Sequence, residues 1–245
     1  MTWSIVASMR DLTTTSYAIL GMLAMRAASA YELTAEMRRS AIRDFWPRTE
    51  SRLYAEPKNL LQHGLIAART EHTGRRSRTV YRITQRGRRA LRRWLGEPSA
   101  ARKTEDETML RIALAESGTR DQLLATIHRE FEALHRRAET LAEIGGDFTG
   151  GRVRFPERLH IAAVLGRFTA ADLRSRVEYL EWLEGWVRNW SGARLEDCPT
   201  GEVNAVVREN AREITRLRDR LARRTGRESA GTASGPSLRS EPPQL

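Results

Sequence analysis

The sequence predicts a mainly α protein in two parts: three helices, a two-stranded hairpin and a linking helix, followed by an all-helical half. Three observations predict it. Apolar residues recur at spacings of three and four over most of the chain, the period switches once to two between residues 65 and 84, and the charge excess is confined to the first hundred residues. The 245 residues carry a formal net charge of +11. From Arg10 to Pro98 there are 18 basic against 8 acidic side chains, an excess of +10; from Ser99 to Leu245 there are 24 against 23, an excess of +1. A basic module beside a near-neutral body suits a nucleic-acid partner, because affinity for a polyanion grows with the phosphates neutralised.

Residues 1–10 show no pattern and read as an arm. Asp11, Thr13, Thr14 and Thr15 offer N-caps to a first helix whose apolar face is Tyr17, Leu20, Leu23 and Ala24; Ala28 to Ala30 break it. A second helix runs from about Tyr31 to Arg39, with Leu33 and Met37 toward the core. Pro47, Thr49 and Ser51 open a third, which extends to Gln62 before Gly64 stops it. Leu65 to Glu71 and Arg78 to Thr84 then read as strands around a polar tip, His72 to Ser77. A fourth helix, Gln85 to Leu95, ends at Gly96 and Pro98. Three helices followed by such a hairpin constitute a winged helix-turn-helix over residues 11–98.

Residues 99–224 read as a helical dimerisation and effector domain. Thr108 to Ala115 forms a short helix; Thr119 with Gln122 makes a capping box for a helix carrying Leu123, Ile127, Phe131, Leu134 and Leu141, closed by Gly145 and Gly146. After a loop to Gly151, Pro156 opens a long helix ending near Ser191. Past Cys198 and Pro199, the residues Val203, Val207, Asn210, Ile214, Leu217 and Leu221 alternate by fours and threes, a heptad seam in which Asn210 can fix register. Residues 225–245, rich in Ser, Gly and Pro, read as a disordered tail.

Five motifs in order resemble the PadR family of winged helix-turn-helix regulators: Ala18-Ile19-Leu20-Gly21-Met22-Leu23, Ala30-Tyr31-Glu32-Leu33, Ser51-Arg52-Leu53-Tyr54, His63-Gly64-Leu65-Ile66, and Thr79-Val80-Tyr81-Arg82-Ile83-Thr84-Gln85-Arg86-Gly87. The resemblance covers about residues 12 to 98; the helices from Thr104 to about Ser191 resemble the family's dimerising region by pattern alone. Ala30 stands where the family usually has glycine. Pro57 stands inside the third helix where the family has leucine; an interior proline costs roughly 3 kcal/mol and predicts a kink.

The resemblance implies a homodimeric transcriptional regulator, most simply a repressor, on double-stranded DNA with an inverted-repeat operator. In such a module the third helix enters the major groove. Thr49, Ser51, Arg52, Tyr54 and Lys58 are the candidates there: Arg52 can read guanine bidentately, and the family's serine and tyrosine imply phosphate contacts for Ser51 and Tyr54. Arg75, Arg76 and Arg78, three cations with no acid among them, are candidates for backbone or minor-groove contact from the wing. Tyr179, Trp182, Trp186 and Trp190 share one helix face; they suit packing in a core or dimer seam first, and alternatively a surface for the small aromatic effectors that the resemblance implies.

Enzyme chemistry finds no support in the sequence. His128 and His135 lie seven apart without a matching ligand set, no glycine-rich phosphate loop or nucleophile motif occurs, and no metal or cofactor is expected. The single cysteine, Cys198, has no disulfide partner within the chain. No apolar run approaches the roughly 18 residues of a membrane span, so a cytoplasmic protein without membrane contact is expected. A competing reading is a protein-interaction module that recruits a different protein through the heptad seam, with the winged helix serving docking.

Overall fold

A computed structural model describes residues 12–40, 42–73, 76–153 and 155–226. The predicted arm, wing-tip residue Arg75 and nearly all of the predicted tail therefore lie outside the described residues. The chain divides into two compact units, the described part of Met1–Glu105 with Thr140–Arg176, and Asp106–Glu139 with the described part of Val177–Leu245.

The first unit begins with α1 (Thr14–Met25), opened by a capping box in which Thr13 and Ser16 exchange backbone and side-chain hydrogen bonds. Ala28–Ser29 form the two-residue strand β1, and α2 (Ala30–Arg39) follows without a linker because Ser29 is also its N-cap. A single turn, α3 (Ile42–Phe45), precedes α4 (Glu50–Gln62). Gly64, at φ +64°, takes the left-handed turn that releases the chain into β2 (Ile66–Thr73), antiparallel to β3 (Arg76–Ile83). The sheet order is β1-β3-β2, with Ala28 opposite Tyr81 and Ser29 opposite Val80. Helix α5 (Gln85–Leu95) is capped by Thr84, whose hydroxyl accepts from the Gly87 N–H.

The core of this unit gathers Ile19, Leu20 and Leu23 of α1, Leu33 and Met37 of α2, Leu53 and Leu60 of α4, and Leu65, Ile66 and Ile83 at the foot of the hairpin. Tyr17 stacks on Trp94 of α5, ring centroids 4.8 Å apart and nearly parallel. Burial raises the Tyr17 hydroxyl above its ordinary range, with Glu97 adding to the effect and Arg93 opposing it. From Ala67 to Thr70 β2 is exposed, whereas Val80 on β3, opposite Arg69, is buried, so the ribbon turns its outer strand to solvent as a wing.

The second unit contains α6 (Glu107–Ala113), most of α7 (Arg120–Thr149), the end of α8 (Leu159–Val187) and α9 (Thr200–Thr225). Thr119 and Gln122 form the expected capping box at the start of α7. Its buried apolar residues are Leu123, Ile127 and Leu134 of α7 with Leu180, Leu183 and Val187 of α8. The Arg120 guanidinium donates to the Trp190 carbonyl at 2.7 Å, tying the start of α7 to the segment after α8.

Several sequence expectations are corrected. Gly145 and Gly146 do not close α7; the helix runs on to Thr149, with the Gly150 N–H bonded to the Gly146 carbonyl, and stops only at Gly151, φ +74°. Two interior glycines cost about 1 kcal/mol each relative to alanine, a local preference that a helix of 30 residues overrides. The strands extend past the predicted tip: His72 pairs with Ser77 and Thr73 with Arg76. Helix α8 ends at Val187, not Ser191, because Asn189 and Trp190 donate three residues back and the Ser191 N–H turns to Asp197. Helix α9 reaches Thr225, one residue beyond the expected domain end.

Pro57 leaves α4 a single element. Its ring lies in the core between Leu53 and Leu60, at spacings of four and three.

Candidate nucleic-acid interface

Helix α4 has two faces because its apolar residues fall at 53, 57 and 60. Leu53, Pro57 and Leu60 are buried, whereas Ser51, Arg52, Tyr54 and Lys58 are exposed. At about 100° per residue, Ser51, Tyr54 and Lys58 share one stripe, and Arg52 stands on its flank beside Asn59. Tyr54 is 42% exposed, which removes it from the core. Thr49 is the N-cap, but its hydroxyl makes no capping bond; it lies 3.2 Å from the Ser51 hydroxyl. The start of the helix thus presents two hydroxyls and amides that no capping side chain occupies.

What orients this face was not visible in the sequence. Ser16 of α1, fully buried, donates to Glu56 Oε1, which also accepts from the Asn59 side-chain amide at 3.1 Å. This carboxylate bridge fixes the rotation of α4 on α1. Arg38 pairs with Glu50 at 3.0 Å across the start of α4. Arg48 lays its guanidinium over the Trp46 ring, 3.9 Å from the centroid, and donates to the Thr15 hydroxyl at 3.3 Å. An open cleft of about 340 Å³ between Met37, Arg43, Trp46, Arg48 and Leu53 adjoins the same helix start. No sequence spacing announces these pairs: Glu56 and its partner are forty residues apart.

On the wing, Arg76 opens β3 opposite Thr73. Arg78 is held by two carboxylates, Glu71 at 3.1 Å and Glu32 at 3.3 Å. Glu32 is itself the capping-box acid of α2, accepting from the Ser29 N–H at 2.8 Å and the Ser29 hydroxyl at 2.9 Å. The Ser29 amide bond is the main reason that its carboxyl titrates below the ordinary range; Arg78 and Arg26 contribute less, and burial opposes them. The α4 face and the wing belong to the same unit.

Tyr179, Trp182 and Trp186 of α8 form a ladder in the second unit that Trp190 continues from the segment after the helix, so the four do not share one helix face as expected. Tyr179 to Trp182, Trp182 to Trp186 and Trp186 to Trp190 have centroids 5.9, 5.2 and 5.1 Å apart. Trp182 is 45% exposed, while the indole nitrogens of Trp186 and Trp190 are buried without a hydrogen-bond partner among the described residues. His128 and His135 are exposed and lie near Glu132 and Glu139 of their own helix. Among the described residues no group of three or more His, Cys, Asp or Glu is placed to hold a metal, and no helix is long and apolar enough to cross a membrane. The Cys198 thiol donates to the Arg194 carbonyl and is pushed up by burial and then by Asp197, away from the reactive thiolate.

Residues 19–93 match the Transcriptional regulator PadR-like family. The chain is similar to the negative transcriptional regulator PadR of Bacillus subtilis, 26% identical over 180 residues, covering 69% of this chain and 92% of that protein. It is also 35% identical over 107 residues to a probable transcriptional regulator, Rv1176c, of Mycobacterium tuberculosis, covering 43% of this chain and 53% of that one. Among solved structures, Bacillus subtilis PadR in complex with operator DNA superposes with a TM-score of 0.55 at 25% identity, covering 72% of this chain and 98% of that chain. A two-faced α4 and an exposed wing on the same body thus accompany a match of residues 19–93 to the PadR-like family and a similarity to PadR transcriptional regulators.

Proposed function

We propose that the chain is a homodimeric repressor that binds an inverted-repeat operator through α4 and the wing, and that a small aromatic effector releases it. The observation that carries this reading is the exposed stripe of α4, with Ser51, Tyr54 and Lys58 on the face opposite Leu53, Pro57 and Leu60. In this reading residues 11–98 form the DNA-binding domain and residues 99–224 the dimerisation and effector domain. Thr49, Ser51 and Tyr54 meet phosphates, Arg52 and Lys58 approach base edges, and Arg75, Arg76 and Arg78 hold the backbone from the wing. Arg78, itself half-exposed, exchanges its two part-exposed carboxylates for a phosphate, and Glu32 keeps its bonds to Ser29 when it does. The similarity to a negative regulator and to a structure holding operator DNA supports repression and an operator as target.

The effector site is the Tyr179, Trp182, Trp186 and Trp190 ladder, whose part-exposed indoles offer flat faces to a planar ligand. Two DNA-binding heads must sit about 34 Å apart to occupy successive half-sites, so a ligand that changes their separation abolishes binding.

The test is binding of the purified chain to the intergenic DNA beside its own gene, at two salt concentrations and with excess competitor. Saturable binding that survives competitor, weakens with salt and is lost when Arg75, Arg76 and Arg78 become alanine supports the reading. Failure to prefer any sequence in a genome-wide selection of bound fragments overturns it.

A further inference from the structure

Helix α9 has no buried residue along its 26 positions, yet it carries a continuous apolar seam. Val207, Ile214, Leu217 and Leu221 are 60, 67, 46 and 61% exposed. Four large aliphatic side chains aligned at heptad spacing and left in water are not a solvated face; the pattern is that of one strand of a coiled coil. Spacing assigns Val207, Ile214 and Leu221 to a positions and Val203, Asn210 and Leu217 to d positions.

We infer that this seam is occupied by α9 of a second copy, in a parallel and in-register two-stranded coiled coil. Three features of the sequence around the seam choose this arrangement over its antiparallel alternative. A parallel pair sets d against d, so Asn210 faces Asn210 of the second copy and each side-chain amide finds an amide partner. An antiparallel pair that keeps all six residues in the seam sets Asn210 against Ile214 twice, leaving both amides against an aliphatic chain. The flanking g and e positions agree. In the parallel pair Glu213 meets Arg218 of the second copy, and by symmetry the reverse, while Val206 meets Ala211. Antiparallel strands bring Glu213 against Glu213 and Val206 against Arg220, a like-charge contact and an apolar-to-cation contact. Within one chain Glu213 touches Arg216 at 3.5 Å and Arg218 touches Asp219 at 2.8 Å; both contacts are exposed and exchange readily.

Under three heptads is too short for a durable coiled coil between free chains. The inference therefore rests on the homodimeric reading in one respect: a dimer joined elsewhere raises the local concentration of the second α9 to roughly millimolar. Its consequence is orientation, since parallel strands bring the two chains' C-termini to the same end.

The experiment uses the full chain with Cys198→Ser, so that the only thiols are introduced ones. Asn210→Cys puts them in the seam, Arg212→Cys puts them on the opposite face, and Ile214→Cys supplies an antiparallel partner. Under mild oxidation Asn210→Cys is expected to form a covalent dimer about tenfold faster than Arg212→Cys, reflecting the local concentration in the seam. Equal rates, or cross-linking only when Asn210→Cys is mixed with Ile214→Cys, overturn the parallel pairing. Sedimentation and operator binding, measured on the same uncross-linked proteins, separate the two claims. A dimer that binds operator but does not cross-link at 210 overturns this inference alone, and a chain that cross-links but binds no operator overturns the functional reading alone.

Discussion

Replacing Gly87 by alanine separates local preference from tertiary packing with opposite signs. Gly87 lies in the first turn of α5, where alanine is favoured over glycine by about 1 kcal/mol. A Cβ there, however, meets the Leu65 carbonyl oxygen at 2.1 Å and Ile83 Cγ1 at 2.9 Å, against an ordinary contact beginning near 3.4 Å. Relief requires α5 and the start of β2 to part by more than 1 Å. That same Leu65 oxygen accepts the Thr84 N–H and the Thr84 hydroxyl, both at 3.0 Å, and Thr84 is the cap of α5. Overpacking of about 1–3 kcal/mol, two hydrogen bonds near 1 kcal/mol each and a weakened cap outweigh the helical gain, for a net loss of about 3 kcal/mol. A domain of this size then melts roughly 15 °C lower. The control is Gly145→Ala, whose Cβ meets nothing within 4 Å in the last turns of α7 and which is expected to stabilise by about 0.5–1 kcal/mol. Urea and thermal unfolding followed by circular dichroism read both variants. A Gly87→Ala protein as stable as the parent would refute the reasoning, because the close approach of helix to carbonyl would then be irrelevant.

Further outcomes follow from other contacts. Ser29→Ala removes the cap of α2 and is expected to cost about 1 kcal/mol at neutral pH. Because the folded-state pKa of Glu32 is depressed, its contribution is present above the unfolded value near 4.5 and lost as pH falls through the folded value. The Ser29 amide bond survives in Ser29→Ala, so only the share of the difference carried by the Ser29 hydroxyl's bond to Glu32 should shrink below that pH, and a gap unchanged down to pH 2.5 would exclude that hydroxyl bond. Leu20→Ala, at a fully buried site, should lower stability by about 2–5 kcal/mol in urea titrations. Arg75→Ala and Arg76→Ala should each reduce the logarithmic salt slope of operator binding by about one, with equal weakening across sequences. Replacing Trp182, Trp186 and Trp190 together by Phe should abolish quenching of indole fluorescence by planar aromatic compounds if the ladder is the effector site; quenching of the remaining indoles at parental size would place that site elsewhere.

The helices with strong chemical punctuation were legible in the sequence. Helix α5 has the expected bounds because Thr84 caps it and Gly96 ends it, and α4 runs to Gln62 because Gly64 supplies the turn beyond it. Elements too short for a period were not: β1 has two residues and α3 a single turn, and both exist because neighbours complete them. Glycine misled at Gly145 and Gly146, where local preference is weaker than the cohesion of a 30-residue helix. For the candidate interface, the resemblance and the place of the third helix named the residues, and the structure leaves Ser51, Arg52, Tyr54 and Lys58 exposed on α4. Spacing could not supply what holds that face in position, because Ser16 meets Glu56 and Glu32 meets Arg78 only once distant segments are folded together.

Ser29 is at once the last residue of β1, paired with Val80, and the cap of α2. With no spacer between strand and helix, the first half of this domain has no seam along which to open in pieces. Amide exchange should reflect this. The N–H groups of α2, of β3 from Val80 to Ile83 and of α1 should share one opening free energy, equal to that of unfolding the domain, while those from Ala67 to Thr70 exchange through smaller, faster openings. An insertion of one residue after Ser29 would uncouple the two, converting a single cooperative transition into two and leaving the wing hinged on its own base.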